Sequence, residues 1–271
     1  MKPVSRTAYY CCGVRALDAV ASHPVCGDQY AERFMTPEAW ALFEPFRDLR
    51  APNASNVARH RIIDDLLRAH LARRPDTPVV IVGAGFDARA FRLPGGRWVE
   101  LDEPALITLK EAHLPAHQAP NPLTRVAISF EHETIEERLA PFHHLSDPVV
   151  VLEGVLPYLS AAEVRVLLQA IRNIFSNPTL ICDLTTPAFV RSYGAKIGRI
   201  FREFGAPYGR LEVDPLELIQ AAGFRRTTRH SNVGQAAALG MLRIPQWLLA
   251  TVLRSLRDGY TVASFELDPG G

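Results

Sequence analysis

No run of about 18 apolar residues occurs in the 271-residue chain, which argues against a membrane-spanning helix. The N-terminal "MKPVSRTAYYCCGVRAL" also lacks the long apolar segment of a secretory signal, so a cytoplasmic location is expected. A dominant charge sign is missing too. Lys and Arg number 30 against 29 Asp and Glu, so no global field recruits nucleic acid or an anionic membrane, and specificity must reside in a pocket. Cysteine is scarce: Cys11, Cys12, Cys26 and Cys182 have neither the spacing of a zinc site nor that of a disulfide framework. They read as reduced thiols, and no metal is expected. Internal repeats and low-complexity tracts are absent. At 48% hydrophobic residues the chain can bury a full core, and one α/β domain with an appendage is the simplest organisation.

What the chain does contain is a dense motif at residues 77–104, "TPVVIVGAGFDARAFRLPGGRWVELDEP". Val79, Val80, Ile81 and Val82 form the β-branched run expected of a strand buried on both faces of a parallel sheet. Gly83 and Gly85 permit a tight turn and close approach of a ligand to bare backbone, after which "DARAFRL" can begin a helix. A second strand, "RWVELD", ends on Asp102, where dinucleotide folds place a ribose-hydroxyl acceptor. Gly83, Gly85 and Ala88 also satisfy the glycine pattern of nicotinamide and flavin enzymes, so the turn alone leaves the ligand open. Charge separates the options: Asp87 would repel a pyrophosphate and suits the ammonium and sulfonium of S-adenosylmethionine. Otherwise the glycines only make a turn, with Asp87 capping the helix.

Residues 1–57 read as an N-terminal helical cap, and residues 58–271 as the α/β core. "NVARHRIIDDLLRAHLARR" places Val57, Ile62, Ile63, Leu66, Leu67 and Leu71 at helical spacing. Strands and helices then alternate through "RVAIS", "DPVVVLEG" and "TLICDLT", which argues for a parallel doubly wound sheet. Ser160 and Glu163 form a capping box for "SAAEVRVLLQAIRNIF", and Gly223 closes "DPLELIQAAGFR". "GQAAALGMLRIPQWLLATVLRSLRD" reads as a long helix or helix pair before a last strand, "GYTVASFEL". Glu153, after four apolar residues at a strand end, must be solvated or paired, by a cationic ligand or by a protein arginine.

Three motifs in order, "VVIVGAGFDARAFRL", "VELDEPALITLK" and "VVVLEGVLPYLSAAEVRVLL", resemble the leucine carboxyl methyltransferase family. The likeness is especially to its bacterial branch of S-adenosylmethionine-dependent O-methyltransferases associated with polyketide and other secondary metabolism. The resemblance runs from "TAYYCCGVRALDA" through "DPLELIQAAGF". It implies an α/β class I methyltransferase fold, Rossmann-like, with a seven-stranded, mostly parallel sheet, one antiparallel strand and a helical lid. It also implies S-adenosyl-L-methionine as cofactor. Matched by position, Arg59 pairs with the methionine carboxylate, which a guanidinium fork suits. Gly83, Ala84 and Gly85 match the turn beneath the methionine part, with Asp87 beside it. Asp102 matches the ribose acid and Glu153 the acid facing the methionine end. One position departs: Ser129 stands where the family carries an aspartate near the adenine.

These residues predict a small-molecule O-methyltransferase acting on a carboxylate or a phenol. A nicotinamide- or flavin-linked oxidoreductase, or a non-catalytic S-adenosylmethionine-binding protein, are the alternatives. Acceptor recognition is expected from the cap, from a lid at about 192–215 and from Tyr158. A phenol would gain from a base, and His60, His113, His132, His143 and His144 are nominal choices without a motif. No catalytic residue is identified, and the oligomeric state is left open.

Overall fold

The structure, a computed structural model, describes residues 2–210 and 212–268. Met1, Leu211 and residues 269–271, which fall within the expected cap, lid and core, lie outside the described residues. The chain opens with helices α1 (Pro3–Ala19), α2 (Pro37–Phe43) and α3 (Arg50–Arg73). Strands β1 (Pro78–Val82), β2 (Arg97–Asp102), β3 (Leu123–Ala127), β4 (Val149–Leu152), β5 (Thr179–Thr185), β6 (Phe224–Ser231) and β7 (Tyr260–Leu267) form one sheet. Its order is β3-β2-β1-β4-β5-β7-β6, with β7 antiparallel to both neighbours and the remaining pairs parallel. This is the expected class I methyltransferase arrangement.

β1 is buried throughout because both faces are covered. Val79 and Ile81 point into a core shared with α1, α2 and α3, whereas Val80 and Val82 point to the opposite core beneath α7 (Ala161–Ile174) and α10 (Pro215–Ala221). The N-terminal helices therefore belong to the main core. The expected boundary at residue 57 falls inside α3, which carries the predicted apolar face from Val57 to Leu71.

Local signals in the sequence account for several helix ends. Ser160 and Glu163 make the expected capping box on α7, and Gly223, at φ +81°, follows α10. Two expectations are refined, and one strand was not anticipated. "DARAFRL" makes a single turn, α4 (Arg89–Arg92). The predicted long helix or helix pair is three short helices, α11 (Asn232–Ala238), α12 (Gln246–Ala250) and α13 (Arg254–Gly259), because Gly240 and Pro245 interrupt the segment. "FRRTTRHS" forms β6, which carried no apolar alternation because it is an edge strand whose arginines face solvent. Helices α5 (Pro104–His113), α6 (Ile135–Leu139), α8 (Pro187–Ser192) and α9 (Ala195–Glu203) complete the chain. Among the described residues no helix is long and apolar enough to cross a membrane.

After β1 the chain builds β2 and β3 on one side and then returns to place β4 and β5 on the other. Such a reversal opens a crevice at the C-terminal ends of the strands, where α/β sheets bind ligands.

Candidate functional site

The glycine turn lies at that crevice. Gly83 and Gly85 adopt φ +69° and +46°, a region that penalises other residues, and a Cβ on Gly83 would stand 2.7 Å from Val155 Cγ2. The turn is tied to the end of β2: the N–H groups of Gly83 and Ala84 donate to Leu101 O, and that of Gly85 donates to Asp102 Oδ2 at 2.6 Å. Asp102 Oδ1 accepts from Glu103 N at 2.7 Å. A carboxylate offers about four lone-pair sites, so Asp102 retains capacity for hydroxyl donors. Burial pushes its carboxyl up to about 6, against the two backbone donors that favour the ionised form.

Behind the turn runs a chain of buried ion pairs linking Arg15, Asp28, Arg92, Asp64, Arg89, Asp87, Glu153, Arg59 and Asp183, with side chains no more than 10% exposed. Four guanidinium groups face five carboxylates. Burial and Arg89 hold the His60 imidazole below its ordinary value, and Arg68 adds a fifth guanidinium 3.6 Å from Asp64 at the exposed edge of the set. Burial opposes ionisation of Glu153, but Arg89, His60 and Arg59 outweigh it and keep the carboxyl well below the usual range.

This network changes the meaning of two sequence candidates. Asp87 pairs with the Arg89 guanidinium and caps Arg89 N at 2.7 Å. Its charge is thereby compensated, and the expected repulsion of a pyrophosphate loses its basis. Glu153 pairs with Arg59 at 3.1 Å and Arg89 at 2.8 Å. Protein arginines thus provide the partner that its position just after β4 demanded. His60, Asp87 and Glu153 hold ligand-type atoms within 4.8 Å of one another, but Arg89 Nη1 already bonds both carboxylates.

Beyond Arg59 a cavity of about 260 Å³ opens over the ends of β4 and β5 and the start of β7. Its polar lining includes Asn56 and Arg59 from α3, Cys11 from α1, Asp183 and Thr185 from β5, and five tyrosines. Phe189 and Phe201, with Ile197 and several aliphatic side chains, supply the rest. Arg59 donates to Glu153 through Nε, to Asp183 (3.2 Å) and Tyr260 Oη (3.0 Å) through Nη1, and to Cys11 Sγ (3.4 Å) through Nη2. Asp183 accepts from Gly154 N at 2.6 Å, and burial raises its carboxyl above the ordinary value, with Arg59 opposing.

The structure therefore divides the sequence candidates. Gly83, Ala84, Gly85 and Asp102 gather at the β1–β2 crevice, while Arg59 and Tyr158 reach the cavity wall. Tyr158 donates to Thr7 Oγ1 at 2.9 Å and packs against Tyr208. Ser129 stands apart in a turn after β3, its N–H bonded to Glu133 Oε2. Segment 192–215 reaches the cavity through Tyr193, Gly194, Ile197, Phe201 and Tyr208. None of the five nominal histidines lines the cavity. His60 is fully buried in the ion network, and His113, His132, His143 and His144 are exposed. Asn56, Asp183, Tyr208 and Tyr260 were missed because they belong to no motif. Only Asn56, one turn before Arg59, had a helical spacing that could have suggested it.

The residues present suit a zwitterionic sulfonium nucleoside. Arg59 offers a donor for a carboxylate and Asp102 an acceptor for hydroxyls. Asn56 adds a buried carbonyl oxygen, Oδ1, without a hydrogen-bond partner.

Comparison with known proteins agrees. The chain is 27% identical over 198 residues to the tetracenomycin polyketide synthesis O-methyltransferase TcmP of Streptomyces glaucescens, covering 72% of this chain and 70% of that protein. Three further relatives from Parafrankia and Streptomyces match at 35%, 32% and 31% identity over 41%, 60% and 60% of their own length, so the chain spans less than two thirds of them. In fold it resembles a DUF574 family protein from Streptomyces avermitilis, with a TM-score of 0.56 at 12% identity, covering 95% of this chain and 97% of that one. The family model for leucine carboxyl methyltransferase matches residues 8–172, more than half of the chain. The protein thus belongs to the leucine carboxyl methyltransferase family of S-adenosylmethionine-dependent methyltransferases.

Proposed function

We propose that the protein transfers a methyl group to an oxygen of a small, largely apolar acceptor seated in the tyrosine-rich cavity. The observation that carries this reading is the cavity's position: it adjoins Arg59, at the methionine end of the expected cofactor site, and its wall is mainly aromatic and aliphatic. The similar O-methyltransferase of tetracenomycin polyketide synthesis supports the same class.

Arg59 would hold the methionine carboxylate, Asp102 the ribose hydroxyls, and Gly83, Ala84 and Gly85 would let the cofactor lie against backbone. Glu153 and Asp87 act through their arginine partners: Glu153 orients Arg59, and Asp87 orients Arg89. Ser129, which does not line the cavity, would serve only an adenine edge. When bound, the cofactor supplies an electrophilic methyl on a positively charged sulfur. The protein's task is then alignment in a site that excludes water.

Of the two acceptor types, the cavity favours a phenol over a carboxylate. Among the described residues Arg59 is the one cationic side chain on its wall, and the methionine carboxylate would occupy its remaining donor. An anionic acceptor finds no unpaired positive charge there, whereas a neutral hydroxyl finds the Asp183 carboxylate. Asp183 Oδ2 would take the phenolic proton as the oxygen–carbon bond forms. The test is turnover of labelled methyl donor with matched panels of small phenols and aromatic carboxylic acids. Methylation of phenols is expected; methylation confined to carboxylic acids would reverse the acceptor assignment.

A further inference from the structure

The near-neutral net charge of the chain, +1, conceals a local imbalance at the mouth of the cavity. Two segments supply lining side chains there. Residues 191–202, from the end of α8 through most of α9, give Tyr193, Ile197 and Phe201, and residues 239–257, through α12 into α13, give Leu242, Ile244 and Leu256. The segments meet where Tyr193 Oη lies 3.3 Å from Ser255 Oγ. Together they hold seven Lys and Arg and no Asp or Glu. Six of these cations, Arg191, Lys196, Arg199, Arg202, Arg243 and Arg254, are exposed, and among the described residues none of the six has a carboxylate within salt-bridge distance. The first acids beyond the segments are Glu203, which pairs with none of them, and Asp258, which is engaged by Arg229 and Arg257.

The same segments expose apolar surface. Tyr193 (42%), Leu239 (39%), Trp247 (67%) and Val252 (74%) make up half of the large hydrophobic side chains exposed among the described residues. Exposed apolar groups gathered in one place mark an interaction surface. Between the lining residues Ile244 and Leu256 the chain buries Leu249 and leaves Trp247 and Val252 in water.

Charge complementarity narrows the occupant to an anionic one, and the mixture of residues narrows it further. Protein interfaces collect apolar groups in a core from which charge, lysine above all, is depleted. Here cations and apolar side chains interleave along both segments. That mixture suits the boundary of a bilayer, where Trp and aliphatic groups enter the headgroup region while Lys and Arg stems reach out to phosphate. We propose that this face seats on an anionic lipid bilayer, with Trp247 and Val252 entering the headgroup boundary and the six exposed cations meeting lipid phosphates. The proposal goes beyond the acceptor assignment and holds whichever oxygen is methylated. Seated in this way, the cavity opens onto lipid, where an apolar acceptor concentrates.

Co-sedimentation of the full chain with vesicles tests the seat. Equal parts of phosphatidylcholine and phosphatidylglycerol are compared with phosphatidylcholine alone. Binding to the anionic vesicles is expected to be at least about tenfold tighter and to weaken as salt is added. It should also shift tryptophan emission to the blue, because Trp247 is exposed whereas Trp98 is buried and Trp40 partly so. The double variant Arg243→Glu/Arg254→Glu should lose at least about tenfold in affinity, and so should Arg191→Glu/Lys196→Glu on the other segment. Trp247→Ser should abolish the emission shift. Each variant is expected to keep the wild-type circular dichroism, and the two charge reversals test the face independently should one of them misfold. Absent binding, equal binding to both vesicle types, or undiminished binding by both charge-reversed variants overturns the proposal. Binding to soluble polyglutamate as tight as to the anionic vesicles, with no emission shift on the vesicles, overturns it as well and assigns the face to an acidic protein.

Discussion

Asp102 Oδ2 accepts a 2.6 Å hydrogen bond from the backbone N–H of Gly85, so the acid at the end of β2 and the turn after β1 form one unit. The carboxylate that sequence spacing assigned to a ribose also shapes the glycine turn on which a ligand would rest.

Removing that carboxylate should therefore affect binding twice, through the lost hydroxyl acceptor and through a loosened turn. Asp102→Ala is expected to weaken S-adenosylhomocysteine binding by about 1–3 kcal/mol, measured by calorimetry. Because burial sets the Asp102 carboxyl at about 6, wild-type affinity should fall as pH drops through that value. Folding linkage runs the other way: a carboxyl raised above its ordinary value of about 3.9 favours the folded state on protonation. The loss should appear in affinity and be absent from Asp102→Asn.

Arg89 joins Asp64, Asp87 and Glu153, and it is fully buried. Arg89→Met would leave three carboxylates short of a partner. Unfolding in urea should show a loss of about 3–5 kcal/mol, the scale for breaking a buried ion pair. A loss under about 1 kcal/mol would mean that water or rearrangement replaces the guanidinium.

Stability should decline on acidification in two windows. His60 is held below its ordinary value by burial and by Arg89, so the unfolded chain binds a proton first as pH falls through about 6.5, and folding weakens until His60 itself titrates. Glu153 is held low by Arg89, His60 and Arg59 against the opposing effect of burial. Its contribution is fully present above about pH 4.3 and is lost as pH falls through its lower folded value. Urea midpoints from pH 8 to 3 should show both declines, and His60→Gln should flatten the first.

Asp183→Asn should separate chemistry from binding. The amide oxygen can still accept from one of the two donors, Gly154 N or Arg59, but the group cannot take a proton, so kcat with a phenol should fall by about 10²-fold or more. Affinity for S-adenosylhomocysteine should change by less than about threefold. In the wild type the rate should fall with pH through a value above the ordinary carboxylate range, as burial dictates. An unchanged kcat would exclude Asp183 as the proton acceptor.

Much of the fold was legible because the relevant signals are local. The β-branched run Val79–Val82 is a strand buried on both faces, and Ser160 with Glu163 caps α7. β6 escaped notice because an edge strand buries few side chains and carries no apolar alternation. The site was legible in half. The glycine turn and Asp102 lie within one contiguous motif, whereas the cavity draws on α1, α3, β5, β7 and the segment around α9. No periodicity in the chain brings Cys11, Asn56, Asp183 and Tyr260 together.

The chain alone, through apolar periodicity, turn residues and three ordered motifs, determined the alternating architecture, the glycine turn and the family. Those properties depend on neighbours along the backbone, which the order of residues states directly. The tertiary structure decided which charges are already spoken for: Asp87 and Glu153 turn inward to arginines, while Asp183 and the amide of Asn56 line the cavity. Electrostatic pairing acts through space over a few ångströms, and folding joins residues as far apart as Arg59 and Asp183.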